Sequence, residues 1–359
     1  MRVRRRKNQY IFAPEKPRAR RRGVAVWIGV FLLLAVATVF TANFVMDHQV
    51  QYVKQSVTVQ NLSGDLENWT ILHFSDLHGR ELGDRQAAIQ SAIKGLAYSS
   101  VVFTGDMIGV EGDIQPFLDL VALLPESTPK LYIPGDSDPD YLSGVAHGSL
   151  SVYADWAVRL QEAGVTIVDE PVCFTRGKSN IYFIPEYLYT LDLDGMEAAY
   201  QGQLDQLNQY LDLTPDEAAY KRLCEYQLGR VARIREVKKS ITEKDVQIVL
   251  THTPLTRDYV STMLQWSDKS DMFSLRQAAL ILAGHYCGGQ WRIPGMGAIH
   301  VPDYGWFPDD SLLQGLDYLS GIPQYVSPGL GASDYYRWQP GRLFNSPTVT
   351  MIALTARIQ

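Results

Sequence analysis

The chain has 359 residues, 46% hydrophobic and 20% charged, which suits two domains or one large α/β domain and excludes a disordered, collagen-like or disulfide-dense polypeptide. The net charge of −6 hides an asymmetry: residues 1–23 carry ten Lys/Arg against the single acid Glu15, and removing that +9 leaves −15 on residues 24–359. A body that acidic argues against nucleic acid as a partner, because neutralising phosphates takes a basic face.

After the basic head, residues 24–46 (VAVWIGVFLLLAVATVFTANFVM) contain no charged side chain. At about 1.5 Å per residue a helix of this length spans the roughly 30 Å hydrocarbon core of a bilayer. The Lys/Arg excess lies wholly on its N-terminal side, so the positive-inside rule predicts a single-pass anchor in the cell membrane, with residues 1–23 cytoplasmic and everything after Asp47 outside. A cleaved signal peptide, cut near Ala35-Val36-Ala37, and a buried core helix are the alternatives. The head is long and the apolar run exceeds an h-region, which favours the anchor.

Residues 47–68 read as a polar stalk running into a first strand pair, Gln51 to Val59. From residue 69 to 359 the pattern is one domain of short apolar runs, each ending in a polar cluster: ILHFSDLH at 71–78, VVFTGD at 101–106, LYIPGD at 131–136, IYFIPE at 181–186, VQIVLTHTP at 246–254 and AALILAGHYCGG at 278–289. Continuous apolar runs predict strands covered on both faces. Helical stretches lie between them, for example Asp84 to Ala97 and Ser151 to Ala163, the second stopped by Gly164. Strands alternating with helices predict an α/β fold, a layered β-sandwich flanked by helices. Residues 191–245 are rich in helix formers, broken only near Thr214-Pro215, and predict a helical hairpin inserted between two sheet strands. The tail from Gly288 to Ser346, rich in Gly, Pro, Tyr and Trp, predicts loops before a last strand at 348–354. Of the three cysteines, Cys173, Cys224 and Cys287, at least one stays unpaired.

The polar clusters carry the chemistry. Ligands bind at the ends of strands in open α/β sheets, and five successive strand ends deliver Asp76 with His78, then Asp106, Asp136, His252, and His285 with Cys287. One such residue is usually a turn, a cap or a satisfied polar group, but five in series are not. Asp, His and Cys are ligands for two transition-metal ions, zinc, manganese or iron. A carboxylate bridging two ions is the arrangement that clamps a phosphoryl group and generates hydroxide near neutral pH. Elsewhere, His73 reads as packed inside its strand, Glu186 as a strand-end residue that is a weak candidate for supporting the site, and Cys224 as buried or free on the insert. Tyr304, Trp306 and Phe307 are able to wall a pocket or to cap the sheet edge.

These residues resemble the calcineurin-like metallophosphoesterases, whose signature runs D-x-H, G-D, G-N-H-[DE], H and G-H-x-H. Here it is matched by Asp76-Leu77-His78, Gly105-Asp106, Gly135-Asp136-Ser137-Asp138, His252 and Gly284-His285-Tyr286-Cys287. FSDLHG at 74–79, FTGDMI at 103–108, AGHYCGGQ at 283–290 and SPGLG at 327–331 are similar to the membrane-associated branch typified by the bacterial YaeI and YkuE phosphoesterases. The resemblance implies that Asp76, His78 and Cys287 hold one metal and that Asp136, His252 and His285 hold the other, with Asp106 bridging. The implied activity is hydrolysis of a phosphoester or pyrophosphate bond, on a phosphorylated small molecule or a lipid or envelope substrate.

Three positions depart from the signature: Asp136 for Asn, Ser137 for His and Cys287 for His. Two divalent ions facing two carboxylates carry a net charge of about +2, and adding Asp136 and a Cys287 thiolate brings the cluster to about zero. The missing His at 137 removes a phosphate-binding acid. Ser137 is left as a hydrogen-bond donor at that place, and His147 on the following loop as a replacement that could swing in. A phosphoesterase fold kept as an extracytoplasmic binding or scaffolding module is therefore the alternative function.

Overall fold

The computed structural model describes residues 18–109, 112–142, 151–333 and 341–356. Its first element is helix α1 (Arg18–His48). The stretch Gly23–His48 is long and apolar enough to cross a membrane. The body from Met46 onward is a unit of its own.

Strands β1 (Gln51–Thr58), β2 (Thr70–Phe74), β3 (Ser100–Thr104), β4 (Lys130–Ile133) and β5 (Val165–Ile167) come first, with helices α2 (Ala87–Ile93), α3 (Gln115–Ala122) and α4 (Asp155–Glu162) among them. Next come β6 (Val172–Arg176), β7 (Ser179–Pro185), helices α5 (Leu193–Leu207) and α6 (Pro215–Ser240), β8 (Val246–Leu250), α7 (Arg257–Trp266) and β9 (Ala278–Ala283). The tail holds two small hairpins, β10 (Arg292–Ile293) with β11 (Gly297–Ala298) and β12 (His300–Val301) with β13 (Gly305–Trp306). It continues with β14 (Gly315–Leu319), β15 (Ile322–Val326) and β16 (Thr348–Thr355).

These strands build two six-stranded sheets, ordered β1-β16-β2-β3-β4-β5 and β14-β15-β9-β8-β7-β6. In the first, β2 to β5 run parallel; in the second, β7, β8, β9 and β15 do. Alternation along each strand sorts side chains to two faces. Ile71, Val102 and Leu131 of the first sheet share one buried cluster with Ile181, Ile248 and Leu280 of the second. Their neighbours Leu72, Val101 and Tyr132 pack outward with Ile89 of α2 and Phe117 of α3. On the other side Ile184 meets Ile234 of α6, and Val249 meets Val260 of α7. The result is a four-layer arrangement of helices, two sheets and helices, the layered sandwich that the doubly covered apolar runs imply.

The inserted hairpin is present as α5 and α6. The break at Thr214 is a helix start, where the Thr214 hydroxyl accepts from Glu217 N–H and the Glu217 carboxylate returns a bond to Thr214 N–H. Other expectations shift. Residues 51–58 form one strand rather than a pair, because β1 pairs in parallel with the distant β16. The stretch 84–97 is regular helix only over Ala87–Ile93, since Arg85 and Gln86 take left-handed backbone. The tail is less loop-like than its composition suggests: β15 joins the second sheet beside β9, so its pairing is set by contacts remote in sequence.

Candidate metal centre

Parallel strands bring their C-terminal ends to one edge, and short loops there carry every residue of the sequence pattern. The loop after β2 is tied to the loop after β3, with Asp76 N–H donating to Gly105 O at 3.0 Å and His78 N–H to Asp106 O at 2.8 Å. Within the second sheet Gly284 N–H donates to His252 O at 2.8 Å, and the two sheets are stitched together at the same place, where His285 N–H donates to Asp76 Oδ1 at 2.8 Å. Asp76, His78, Asp106, His285 and Cys287 all have positive φ, between 48° and 79°. Left-handed backbone is uncommon outside glycine, and its concentration here marks loops held in shape for a purpose other than stability. Gly105 lets the loops close up: at φ 83°, a Cβ there would lie 2.6 Å from Gly135 backbone and from His252 Nδ1.

Two groups of ligand atoms result, Asp76 with His78 and Cys287, and Asp106 with His252 and His285; within each, the atoms lie within 4.8 Å of one another. Asp106 Oδ2 stands 3.7 Å from His78 Nε2 and 3.2 Å from His252 Nε2, so its carboxylate reaches both groups. Cys287 Sγ is 3.6 Å from His78 Nε2. Asp136 is the outlying member, its side chain 68% exposed, with Oδ2 3.2 Å from His285 Nδ1 and 4.0 Å from His252 Nε2. Ser137 donates its N–H to Asp106 Oδ1 at 2.8 Å, and its Oγ lies 3.4 Å from His78 Nδ1. His147 lies outside the described residues.

The electrostatics of these groups call for cations. Asp76 is fully buried, its Oδ2 has no hydrogen-bond partner, and burial pushes its carboxyl above the ordinary range. His252 Nδ1 donates to Thr104 O at 2.7 Å, so the neutral ring points an Nε2 lone pair at the Asp106 carboxylate, which repels it unless a proton or a metal intervenes. With a proton there, burial lowers the His252 value, but the Asp106 hydrogen bond and charge outweigh it and raise it to about 10. The same contacts overcome burial at Asp106 and hold its carboxyl well below the carboxylate range. Burial pushes the Cys287 thiol far up, the situation that coordination to a soft cation reverses. An orphaned carboxylate oxygen, opposed lone pairs and a buried thiol together fit two metal ions.

Two supporting roles go beyond the sequence reading. Asp138, matched there as the last residue of its motif, clamps two loops, its Oδ1 accepting from Ile108 N–H at 2.7 Å and its Oδ2 from Gly135 N–H at 2.8 Å. Buried Arg342 donates to Gly331 O at 2.6 Å, Pro328 O at 2.8 Å and Asn345 O at 2.8 Å, and Asn345 Nδ2 donates to Cys287 O at 2.8 Å. A lone Arg in a Gly/Pro-rich tail gives no local signal of this. A cavity of about 400 Å³ opens over the centre, lined by Asp106, Asp136, Ser137, His285 and Cys287 and walled by Tyr286, His300 and Asp303. Tyr304 supports that wall through a hydroxyl contact with Tyr286 at 3.2 Å, whereas Trp306 and Phe307 are exposed. His73 is packed, with burial lowering it to about 3, and Cys224 is buried on α6.

No curated protein sequence matches the chain. Among solved structures, the phosphopantetheinyl hydrolase of Mycobacterium tuberculosis is similar at 15% identity over 73% of this chain and 89% of that one, with a TM-score of 0.33, a likeness too distant to bear on function. The family model of the calcineurin-like phosphoesterases matches residues 70–288, from β2 to just past Cys287, and the chain belongs to that family of metal-dependent phosphoester hydrolases.

Proposed function

We propose that this protein is a single-pass membrane phosphoesterase whose catalytic body lies outside the cytoplasm and hydrolyses a phosphoester or pyrophosphate bond of a phosphorylated small molecule or envelope lipid. The observation that carries the reading is the pair of ligand groups joined through Asp106, delivered by four strand ends, with Asp136 beside them from a fifth. Asp76, His78 and Cys287 would hold one ion, and His252 and His285 the other, with Asp136 at its open side and Asp106 between the two. Zinc, manganese or iron held there supplies Lewis acidity toward the phosphoryl oxygens and an activated water.

The chain's own residues do the rest. The Thr104 carbonyl fixes the His252 tautomer, and Asp106 is kept ionised by its imidazole neighbours. Ser137, which lines the cavity, offers a hydroxyl to a phosphoryl oxygen but no proton at neutral pH, so the leaving group must depart with less help from an acid than a His would give, a factor of about 10²–10⁴. Membrane placement rests on the charge-free run and the ten basic residues before it. The similarity of FSDLHG, FTGDMI, AGHYCGGQ and SPGLG to the membrane-associated branch supports the same placement.

The test is hydrolysis of bis-p-nitrophenyl phosphate by metal-loaded protein, with Asp106→Ala as control. Slow turnover that falls at least a hundredfold in the variant is expected. Metal binding without turnover of any phosphoester would instead favour a binding module built on the same fold.

A further inference from the structure

His252 also lines a second cavity, of about 310 Å³, whose walls include Pro134, Tyr141, Val168, Pro185, Tyr187 and Leu250. The groups that His252 faces at 3.2 Å, Asp106 Oδ2 and His285 Nδ1, belong to the metal centre and line the first cavity. One imidazole is thus common to the reacting centre and to a mostly apolar, aromatic space large enough for a phenyl ring or a short alkyl chain. The only carboxylate among its described lining residues, Glu186, already accepts the Tyr259 hydroxyl on Oε1, so the space is not built around a free negative charge.

The wall is held by the inserted helices. Arg230 of α6 donates from Nη2 to the Tyr187 hydroxyl oxygen at 2.6 Å and from Nε to Asp169 O at 2.7 Å. The Tyr187 hydroxyl donates in turn to Asp169 O at 3.2 Å, and the Tyr226 hydroxyl, also on α6, donates to Asp169 Oδ2. Arg230 is buried, so this network costs desolvation that surface docking of a helix would not need. Its effect is to fix the Tyr187 ring at the edge of the cavity.

We propose that this cavity is the subsite for an apolar organic group, aryl or alkyl, esterified to the phosphoryl group, with Tyr187 as its specificity-determining wall and the helical insert as the buttress of that wall. The proposal rests on the phosphoesterase reading of the metal centre. It is tested by calorimetric titration of the metal-loaded full-length protein in detergent with phenylphosphonate, methylphosphonate and 2-aminoethylphosphonate, which share the phosphoryl oxygens and differ in the attached group. Phenylphosphonate should bind about tenfold tighter than methylphosphonate, as burial of a ring predicts. Tyr187→Ala should cut that preference to about twofold, and Tyr187→Phe should keep it. Equal affinity for the phenyl and methyl compounds, or a preference untouched by Tyr187→Ala, overturns the subsite while leaving the phosphoesterase reading in place. Tightest binding of 2-aminoethylphosphonate assigns the cavity to a cationic group and overturns it as well. Binding of none of the three overturns both readings.

Discussion

Cys287 and His252 each give the proposed metal centre a measurable consequence. If Cys287 is a ligand, Cys287→Ser should lose about one metal ion per chain and Cys287→His should retain it, with turnover raised in the His variant because the cluster regains positive charge. Elemental analysis of the two variants beside the parent checks this; unchanged stoichiometry in both removes Cys287 from the site. In metal-free protein His252 has its value raised from 6.5 to about 10, so its protonated form stabilises the fold fully below about pH 6.5 and that contribution drains away as the pH climbs toward 10. Asp106, held below the carboxylate range, contributes above about pH 4 and loses its contribution as the pH falls below that. Melting temperature in chelator should therefore fall from pH 7 to pH 10, less steeply in His252→Gln, and bound metal should flatten the slope by taking the proton's place. A slope identical in parent and His252→Gln would contradict the pairing.

Among the elements, the short stretches Pro328–Gly331 and Arg342–Ser346 matter most for their length, because they bond to the loops that carry Asp76 and Cys287. Gly331 N–H reaches Asp76 O at 2.5 Å, and Arg342 ties the two stretches together. Arg342→Met leaves several buried carbonyls without a donor and should cost about 3 kcal/mol, which for a body of this size lowers the melting temperature by about 6–12 °C. A shift under 2 °C by calorimetry would mean that the loop stands without it. What was legible in the sequence follows the same division. Asp76, Asp106 and His285 could be found because each ends an apolar run of five or six residues, a strictly local pattern. The pairing of β15 with β9 and of β1 with β16 depends on partners remote in sequence, Gln324 with Ile281 and Gln51 with Thr348, and no window of sequence contains them; Arg342 bonds within 14 residues, but to backbone carbonyls, which no side-chain pattern marks. The positive φ of the ligand residues was equally hidden, since Asp and His carry no glycine-like mark.

For the whole molecule, the basic head and charge-free run predict that full-length protein stays in the membrane through a carbonate wash and that protease added outside the cell removes the body. Appearance of a soluble mature form starting near residue 38 would show that the run is cut as a signal peptide. Topology leaves the chemistry unchanged, because the body from Met46 onward is complete with both sheets and all the ligand residues. The central claim is that these residues form a two-metal centre, and metal content measures it directly. Full-length protein reconstituted with zinc, manganese or iron and freed of excess ion should hold about two ions per chain by elemental analysis, with Asp106→Ala, which removes the shared carboxylate, holding one or none. A parent protein that takes up no ion from any of the three would contradict the account.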